Sequence, residues 1–426
     1  MIAESPSGRG AASASLSGDP AYALFCEARL EDPYRLLEAM REEEPVHWSP
    51  LLEAWVVTRH DLVVEALRSG TLRNDRVSIN MRAVPAADRA RYRGLETHIS
   101  NWLGFTDPPK HTRMRQVARQ ILTHEAAQRL RPAAKAMALA ELERLSSLRR
   151  LDLVEELALD IPLRMICATL GVPEEEAACF HRWSADIAAF AGIVNPDQAL
   201  LARAIERANE SWLEAEEYFA RLLELRRSDP RDDGVSVLAA ALAAGQLDRD
   251  EAIGLCVFVL AAGHGTTAAL LGNMAMLLMG DAAQRQALGT GRGLVGRAVE
   301  EVLRYESPIP MMSRLAGAEL SLAGRRIREG DPVVLQLSAA NRDPARFSEP
   351  AAFRVEREEN RHLAFGSGAH FCLGAPLARA QAGSVLEALL ESELLDRWQM
   401  EDPPSWRLGS PDARDQITLV VRAGDA

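Results

Sequence analysis

Apolar residues recur every three or four positions along most of the chain, which is the spacing of amphipathic helices. The pattern runs with few interruptions from about residue 112 to residue 288, a stretch rich in Ala, Leu, Glu and Arg. Prolines mark the expected joints between these helices, at Pro162, Pro173, Pro196 and Pro230. The sequence therefore predicts a mainly α-helical centre.

The two flanks mix helices with short strands. Residues 34–44 have a helical pattern and residues 54–58 a strand pattern. After Gly296 we expect a helix that ends at Pro308, strands at 319–323 and 332–337 with a turn at 329–331, a last helix at 373–394 and strands near 416–422. Residues 341–361 have no clear period, and we expect an irregular but ordered loop there.

Residues 1–18 are rich in Ser, Ala and Gly and contain neither a signal-peptide core nor a twin-arginine pair, so we expect a disordered tail. Residues 19–426 show no internal repeat or linker. They predict a single α-rich domain with small peripheral sheets. The apolar run 252–279 has membrane length, but glycines, His264 and Asn273 interrupt it. We interpret this run as a buried core helix rather than a membrane anchor.

The chain is acidic, with a formal net charge of −12 over 426 residues, which argues against a nucleic-acid partner. Its five cysteines are widely spaced and contain no C-x-x-C pair, which argues against a disulfide framework or a zinc site. We therefore expect a protein of the reducing cytoplasm.

The most informative segment is residues 365–374, which read Phe-Gly-Ser-Gly-Ala-His-Phe-Cys-Leu-Gly. Gly366, Gly368 and Gly374 permit tight turns and close backbone approach around Cys372. Backbone N–H groups and the start of the following helix would then stabilise a thiolate. Such a cysteine suits a flat metal macrocycle.

This segment resembles the haem-ligand loop of cytochrome P-450 enzymes, F-x-x-G-x-H/R-x-C-x-G. The resemblance implies the P-450 fold, mainly α with small β-sheets, with the haem between the long central helix and the cysteine loop. It implies that Cys372 is the axial ligand to the iron of heme b (iron–protoporphyrin IX), that Phe365 shields the sulfur, and that His370 reaches a haem propionate. Gly374 completes the motif. A thiolate ligand favours O–O cleavage.

A second motif joins Glu301 and Arg304, which lie on one face of a predicted helix. A Glu/Arg pair at this spacing is weak evidence alone, because surface pairs of this kind are common. The pair resembles the family's E-x-x-R helix, and Arg357 falls where the family has the third member of a buried Glu-Arg-Arg network. The resemblance implies that this network fixes the loop 341–361.

Cationic residues resemble the family's propionate ligands. His111 and Arg115 match an H-x-x-x-R helix start, and Arg314 matches a further position. Two buried propionates need such partners. Without the resemblance, all three would be read as surface groups as readily as ligands.

Residues 262–267, Ala-Gly-His-Gly-Thr-Thr, align with the family's A/G-G-x-D/E-T-T. The resemblance implies that Gly263 helps to open a groove for oxygen and that Thr266 supplies a hydroxyl, while Gly265 occupies the place of the usual acid. His264 is about 200° around the helix from Thr266, so we expect it to pack against a neighbouring helix with satisfied hydrogen bonds. Gly265 costs a helix about 1 kcal/mol relative to Ala, and we expect local unwinding there.

The loss of the acid leaves three routes open: water reaches Thr266 beside Gly265, the substrate carries its own proton donor, or the reaction depends less on the proton relay. By the resemblance, substrate contacts come from residues 76–103, 188–201, 259–266 and 309–312. Met311 and Met312 fit a pocket or a core equally well. Gln381 replaces a frequent acid of the family and is expected at a surface contact.

The resemblance is to the soluble bacterial type, which implies electrons from NAD(P)H through a ferredoxin reductase and a ferredoxin. A basic patch would steer the ferredoxin, although a plain solvated face is as good a reading; its members are Lys110, Arg113, Arg119 and Arg379. We thus expect a haem-thiolate monooxygenase that hydroxylates or epoxidises a small, largely apolar substrate. The alternatives are an oxidase that couples or desaturates its substrate, a peroxide-driven variant, or a non-catalytic haem sensor or carrier.

Overall fold

The computed structural model describes residues 19–24, 32–75, 77, 84, 89–191, 198–290, 293–406 and 416–423. The predicted tail, residues 1–18, lies outside them. Helices form most of the described chain. Those before the central helix are α1 (Pro20–Ala23), α2 (Tyr34–Glu43), α3 (His60–Arg68), α4 (Arg93–Ile99), α5 (Lys110–Ala118), α6 (His124–Leu145), α7 (Asp160–Leu170), α8 (Ala177–Ala191), α9 (Gln198–Ser228) and α10 (Gly234–Ala243).

The central helix α11 (Arg249–Gly280) begins with a capping box, in which Asp248 and Glu251 each accept a hydrogen bond from the other's backbone N–H, at 2.8 and 3.0 Å. Its first half lies in one hydrophobic core, with helices α5 and α7–α10, and its second half in another. Among the described helices, α11 alone is long and apolar enough to cross a membrane, but 72% of its most apolar window is buried inside the protein. The structure thus shows a core helix at the predicted place.

The helices that follow are α12 (Ala282–Thr290), α13 (Val295–Tyr305), α14 (Leu337–Ala340), α15 (Ala375–Ser392) and α16 (Leu394–Arg397). Helices α12, α13, α15 and α16 form the second core with α6 and α11, whereas α14 lies in a separate cluster with α3. Helix α15 packs along α6 and against α13. The fully described stretch 341–367 forms no helix or strand, as the sequence predicts.

The sheets are small and lie beside the helices. The largest has the order β1-β2-β8-β5-β3, in which β2 and β8 pair in parallel and the other neighbours are antiparallel. Its strands are β1 (Val46–Ser49), β2 (Ala54–Val57), β3 (Leu72–Arg73), β5 (Met311–Ala316) and β8 (Pro332–Gln336). The others are β4 (Arg150–Asp152), β6 (Leu320–Leu322), β7 (Arg325–Ile327), β9 (Trp398–Met400), β10 (Ser405–Trp406), β11 (Gln416–Thr418) and β12 (Val420–Ala423).

The structure corrects two expectations. Helix α11 is continuous through Gly265, so the predicted unwinding is wrong, because burial of the helix before and after this position outweighs the low propensity of one glycine. Gln381 lies in the core of α15 with 1% of its surface exposed, not at a surface contact. In the segment 309–312, where we expected either pocket lining or core for the methionines, Met311 begins strand β5 and is buried in a small core cluster, which agrees with the core alternative.

Candidate functional site

The cysteine loop runs from Phe365 to the start of α15. Gly366 and Gly368 have φ angles of +70° and +76°, which favour glycine. A Cβ at Gly368 would lie 2.9 Å from the carbonyl oxygen of Leu67, so a larger residue does not fit. The backbone N–H of Cys372 donates to the carbonyl oxygen of Phe365 at 2.9 Å. This bond closes the loop and places Cys372 three residues before the helix.

Burial raises the pKa of the Cys372 thiol overall, and several groups around the sulfur partly oppose this effect. Hydrogen bonds from the backbone N–H groups of Gly374 and Ala375 act to lower the pKa. The positive charges of Arg115 and Arg379 also act to lower the pKa of Cys372. Because these N–H groups open helix α15, the helix dipole adds to them. The loop can therefore hold a thiolate ligand for a metal.

One face of α11 is open. Between residues 251 and 275 the helix is buried except at Phe258, Ala262, Gly263, Gly265 and Thr266, which are partly or fully exposed. Positions 258, 262, 265 and 266 repeat at three- and four-residue spacing and so share one side of the helix. Thr266 donates its hydroxyl proton to the carbonyl oxygen of Ala262 at 2.7 Å. The hydroxyl oxygen remains able to accept a proton from water or a ligand.

The two glycines on this helix have different surroundings. Within the described chain, no atom lies within 4 Å of the position that a Cβ would take at Gly265. A Cβ at Gly263 would lie 2.8 Å from Cδ1 of Ile166, on helix α7. Gly265 therefore borders open space, while Gly263 permits close packing of α11 against α7. The groove-opening role expected for Gly263 has no support in this packing.

His264 packs between helices, as the sequence predicts. Its Nδ1 lies 3.2 Å from Oγ of Ser184 and its Nε2 lies 3.2 Å from the carbonyl oxygen of Leu159. Burial, and to a lesser extent the neighbouring His181, lower the pKa of His264 to about 4. The side chain is thus a neutral, hydrogen-bonded core group on the opposite side from Thr266.

The predicted propionate ligands come from separate elements. His111 and Arg115 lie on α5, and the ring of His111 stacks on the ring of His370 with centroids 3.9 Å apart. Arg115 Nη2 donates to the carbonyl oxygen of Phe371 at 2.5 Å. Burial lowers the pKa of His111, and the charge of Arg115 lowers it further. Arg314, in β5, is buried with 4% exposed and donates to the carbonyl oxygen of Ser313 at 2.8 Å.

Two buried nitrogen atoms of this group lack a hydrogen-bond partner among the described residues. They are Nε2 of His111 and Nε of Arg115. Buried polar atoms are normally paired, so an unpaired pair of donors on one helix indicates a bound acceptor. A carboxylate fits both nitrogens.

Glu301, Arg304 and Arg357 form one buried network. Arg304 donates to both carboxylate oxygens of Glu301 at 2.8 Å, and Arg357 Nε lies 3.0 and 3.1 Å from the same oxygens. The remaining guanidinium N–H groups donate to loop carbonyl oxygens of Asn341, Ser348, Glu349, Pro350 and Ala352. The network therefore holds the irregular stretch 341–367 against helix α13.

Comparisons with known proteins agree with this geometry. Residues 293–407 match the family model for cytochrome P-450. The 6-deoxyerythronolide B hydroxylase of Saccharopolyspora erythraea is 31% identical over 376 residues, which cover 84% of this chain and 88% of the hydroxylase. The chain belongs to the cytochrome P-450 family. It is therefore an oxidoreductase of the monooxygenase type rather than a non-catalytic haem sensor or carrier, and its family implies a haem cofactor.

Solved P-450 structures confirm the predicted fold. CYP109E1 from Bacillus megaterium, in complex with testosterone, superposes with a TM-score of 0.82 at 31% identity, covering 94% of this chain and 100% of that one. P-450BioI, in complex with an acyl carrier protein ligated to hexadec-9Z-enoic acid, superposes with a TM-score of 0.84 at 28% identity, covering 93% and 99%.

The expected basic patch of this P-450 is already partly neutralised. Arg113 forms a bidentate pair with Glu251 at 2.6 and 2.7 Å, and Lys110 contacts Asn101. Arg379 is paired with Glu300, whereas Arg119 is exposed. The patch is therefore weaker than its sequence suggests.

Trp102, from the expected substrate segment 76–103, packs in an aromatic group with Phe105 and Phe258, which were not predicted. Trp102 stacks on Phe105 with ring centroids 5.9 Å apart and lies 5.6 Å from the ring of Phe258. A Cβ at Gly104 would lie 3.3 Å from Phe258. The sequence signal was available, since Phe258 precedes Ala262 and Thr266 by one and two helical turns. Of the expected substrate segments, the side chains of residues 188–201 lie outside the described residues.

Proposed function

We propose that this P-450 is a haem-thiolate monooxygenase that hydroxylates or epoxidises a small, largely apolar organic substrate, inserting one atom of O₂. The observation that carries the proposal is the loop at Cys372. Its sulfur receives backbone N–H groups at the start of α15 and lies under the positive charges of Arg115 and Arg379. That arrangement supports a thiolate as the axial ligand of heme b.

Residues around the loop would hold the rest of the haem. His111 and Arg115 offer unpaired nitrogens to a propionate, and His370, stacked on His111, lies beside them. Arg314 is a further buried cation. Phe365 would shield the sulfur, and Gly374 lies beside it, at the position where a Cβ would be 4.0 Å from Sγ of Cys372. Haem, when bound, supplies the activation of O₂ with two electrons.

The open face of α11 would serve the other side of the haem. Thr266 donates its own proton to Ala262, so its oxygen can accept a proton from water and pass one on. The space beside Gly265 has room for that water. In this proposal water at Gly265 takes the place of the usual acid and delivers protons through Oγ1 of Thr266.

The substrate class follows from the walls of this space. Phe258 and Ala262 present aromatic and aliphatic surface on the same helix face as one hydroxyl, with Trp102 packed behind Phe258, which suits an apolar molecule with few polar groups. The names of similar proteins mention 6-deoxyerythronolide B, testosterone and hexadecenoic acid. These are all largely apolar and differ widely in shape.

Electrons would come from NAD(P)H through a ferredoxin reductase and a ferredoxin in the cytoplasm. The cations of α5 and its C-terminal end, half-buried Lys110 and exposed Arg113 and Arg119, offer a weak basic surface for an acidic ferredoxin. Replacing exposed Arg119 by Glu should slow the first electron transfer at low salt but not at high salt. Equal rates at both salt concentrations would contradict docking on α5.

The central test is spectroscopic. Reduced protein under carbon monoxide should show the strongly red-shifted Soret band of a thiolate complex, and Cys372→Ala should lose it. A variant of another buried cysteine, Cys256→Ala, is the matched control and should keep the band. Absence of the band in the unmodified protein, or its survival in Cys372→Ala, would overturn the ligand assignment.

A second candidate is suggested by Gly265. With no acid beside Thr266, peroxide can replace O₂ and electrons as the oxidant, or hydrogen abstraction can end in coupling or desaturation. Product formation driven by peroxide but not by NAD(P)H and ferredoxin would favour this candidate. A higher yield of product per NAD(P)H in Gly265→Glu would instead show that proton delivery limits a monooxygenase.

A further inference from the structure

Arg379 lies over the aromatic ring next to the proposed haem ligand. Its guanidinium carbon is 4.6 Å from the ring centroid of Phe365, within the range of a cation–π contact. Phe365 in turn accepts the backbone hydrogen bond of Cys372 at 2.9 Å. A positive charge is therefore held one side chain away from the sulfur.

Glu300 fixes the orientation of the Arg379 guanidinium group. Arg379 Nε lies 2.7 Å from Oε1 of Glu300 and Nη2 lies 2.8 Å from Oε2, which is a bidentate pair. Burial alone would raise the pKa of Glu300, but hydrogen bonds from Arg379 and His362 lower it to about 2. The carboxylate is thus charged across the physiological range, and the guanidinium plane cannot rotate freely.

His362 completes the support from the irregular stretch 341–367. Its Nδ1 accepts the backbone N–H of Ala364 at 3.2 Å, which leaves the proton of a neutral imidazole on Nε2. Nε2 donates to Oε2 of Glu300 at 3.2 Å, and the ring lies 5.9 Å from that of Phe365. Three parts of the chain, α13, this stretch and α15, thus converge on Phe365.

We propose that Arg379, held by Glu300 and His362, is a positioning residue whose charge sets the reduction potential of the haem bound to Cys372. This inference rests on the proposed function, since it takes Cys372 to be the iron ligand. A fixed cation near a thiolate stabilises added negative charge and so favours reduction of the iron. In this proposal Arg379, whose side chain was predicted to bind the ferredoxin, is held half-buried beside the cysteine loop.

The test is a redox titration of the haem-loaded protein and its variants. In Arg379→Gln the equilibrium constant for one-electron reduction should fall about tenfold, a potential about 59 mV lower. Arg379→Lys keeps the charge and should shift the potential by less than half as much. Glu300→Gln removes the neutralising carboxylate and should shift the potential upward.

Arg131→Gln is the matched control. Arg131 bridges to Glu387 at 2.6 Å, and Glu387 lies on α15 about two turns beyond Arg379. The side-chain exposures, 36% and 32%, resemble the 39% and 27% of the Arg379–Glu300 pair. The control should leave the potential unchanged. The inference would be overturned if Arg131→Gln shifted the potential as much as Arg379→Gln does. It would also be overturned if Arg379→Lys and Arg379→Gln shifted the potential equally.

Two further outcomes keep the test decisive. If Arg379→Gln does not bind haem, Glu300→Gln carries the test, and an unchanged or lowered potential in it overturns the inference. The carbon monoxide complex of the unmodified protein separates the two proposals. Without the thiolate Soret band the proposed function fails, whereas a normal band with unmoved potentials overturns only the role of Arg379.

Discussion

Arg304 donates two hydrogen bonds of 2.8 Å to Glu301, and solvent reaches neither side chain. Removing one partner strands the other as a buried charge. We expect Arg304→Ala to lower the free energy of unfolding by about 3–5 kcal/mol, measured by chemical denaturation. The exposed pair Arg221–Glu217 has a similar contact of 2.6 Å and is the control. Arg221→Ala should change stability little, and comparable losses in both variants would contradict the prediction.

The two glycines of α11 predict opposite effects of the same substitution. Gly265→Ala meets open space and should stabilise the helix by about 1 kcal/mol. Gly263→Ala forces its Cβ against Ile166 and should destabilise the protein by about 1–3 kcal/mol. Thermal unfolding of the haem-loaded protein measures both. Changes of the same sign would show that the two positions do not differ in packing.

Burial of His264 should lower the free energy of unfolding of the protein in acid. Its folded pKa is about 4 because of burial and the charge of His181, whereas its ordinary value is 6.5. Between these values the unfolded chain binds a proton that the folded chain does not. Stability is therefore full above pH 6.5 and falls as the pH drops towards 4, by up to about 3 kcal/mol.

Denaturant titrations at several pH values test this, with His264→Gln as the comparison. The variant lacks the titrating group, so its stability should fall less steeply between pH 6.5 and pH 4. Identical slopes for the variant and the unmodified protein would assign the acid sensitivity to other groups.

The ring of Phe258 should limit the size of the ligands that the protein binds. Its ring lies on the open face of α11 and against Trp102. Truncation to Ala should admit bulkier compounds in a screen for ligands that shift the spin state of the haem, and should weaken binding of the smallest ones. Val257→Ala, on the fully buried face of the same helix, is the control. The control should reduce stability without changing the ranking of ligands.

Local sequence patterns were enough to predict much of the fold. The buried core helix predicted at 252–279, the irregular loop predicted at 341–361 and the inward packing of His264 all follow from periodicity and helical geometry, and the structure confirms them. The motif around Cys372 was readable because glycines in a fixed order impose turns that other residues cannot make.

The structural features that the sequence did not predict depend on contacts between residues far apart along the chain. Strand β4 pairs with β12, roughly 270 residues away along the chain, and no local pattern in a helical region announces it. The apolar run at Met311 fitted a pocket or a core equally well, and only its pairing with the distant β8 places it in a strand. Gln381 looked like a surface residue because its burial depends on packing against other helices.

Glu300 and Glu301 are adjacent on α13 but serve different neighbours. Glu301 binds the arginines that hold residues 341–367, and Glu300 binds Arg379 beside the cysteine loop. Fraying of the last turns of this one helix would release both attachments at once. Loss of haem and melting of the irregular stretch should therefore occur as a single cooperative event, so that the Soret band and backbone amide exchange in 341–367 report the same opening.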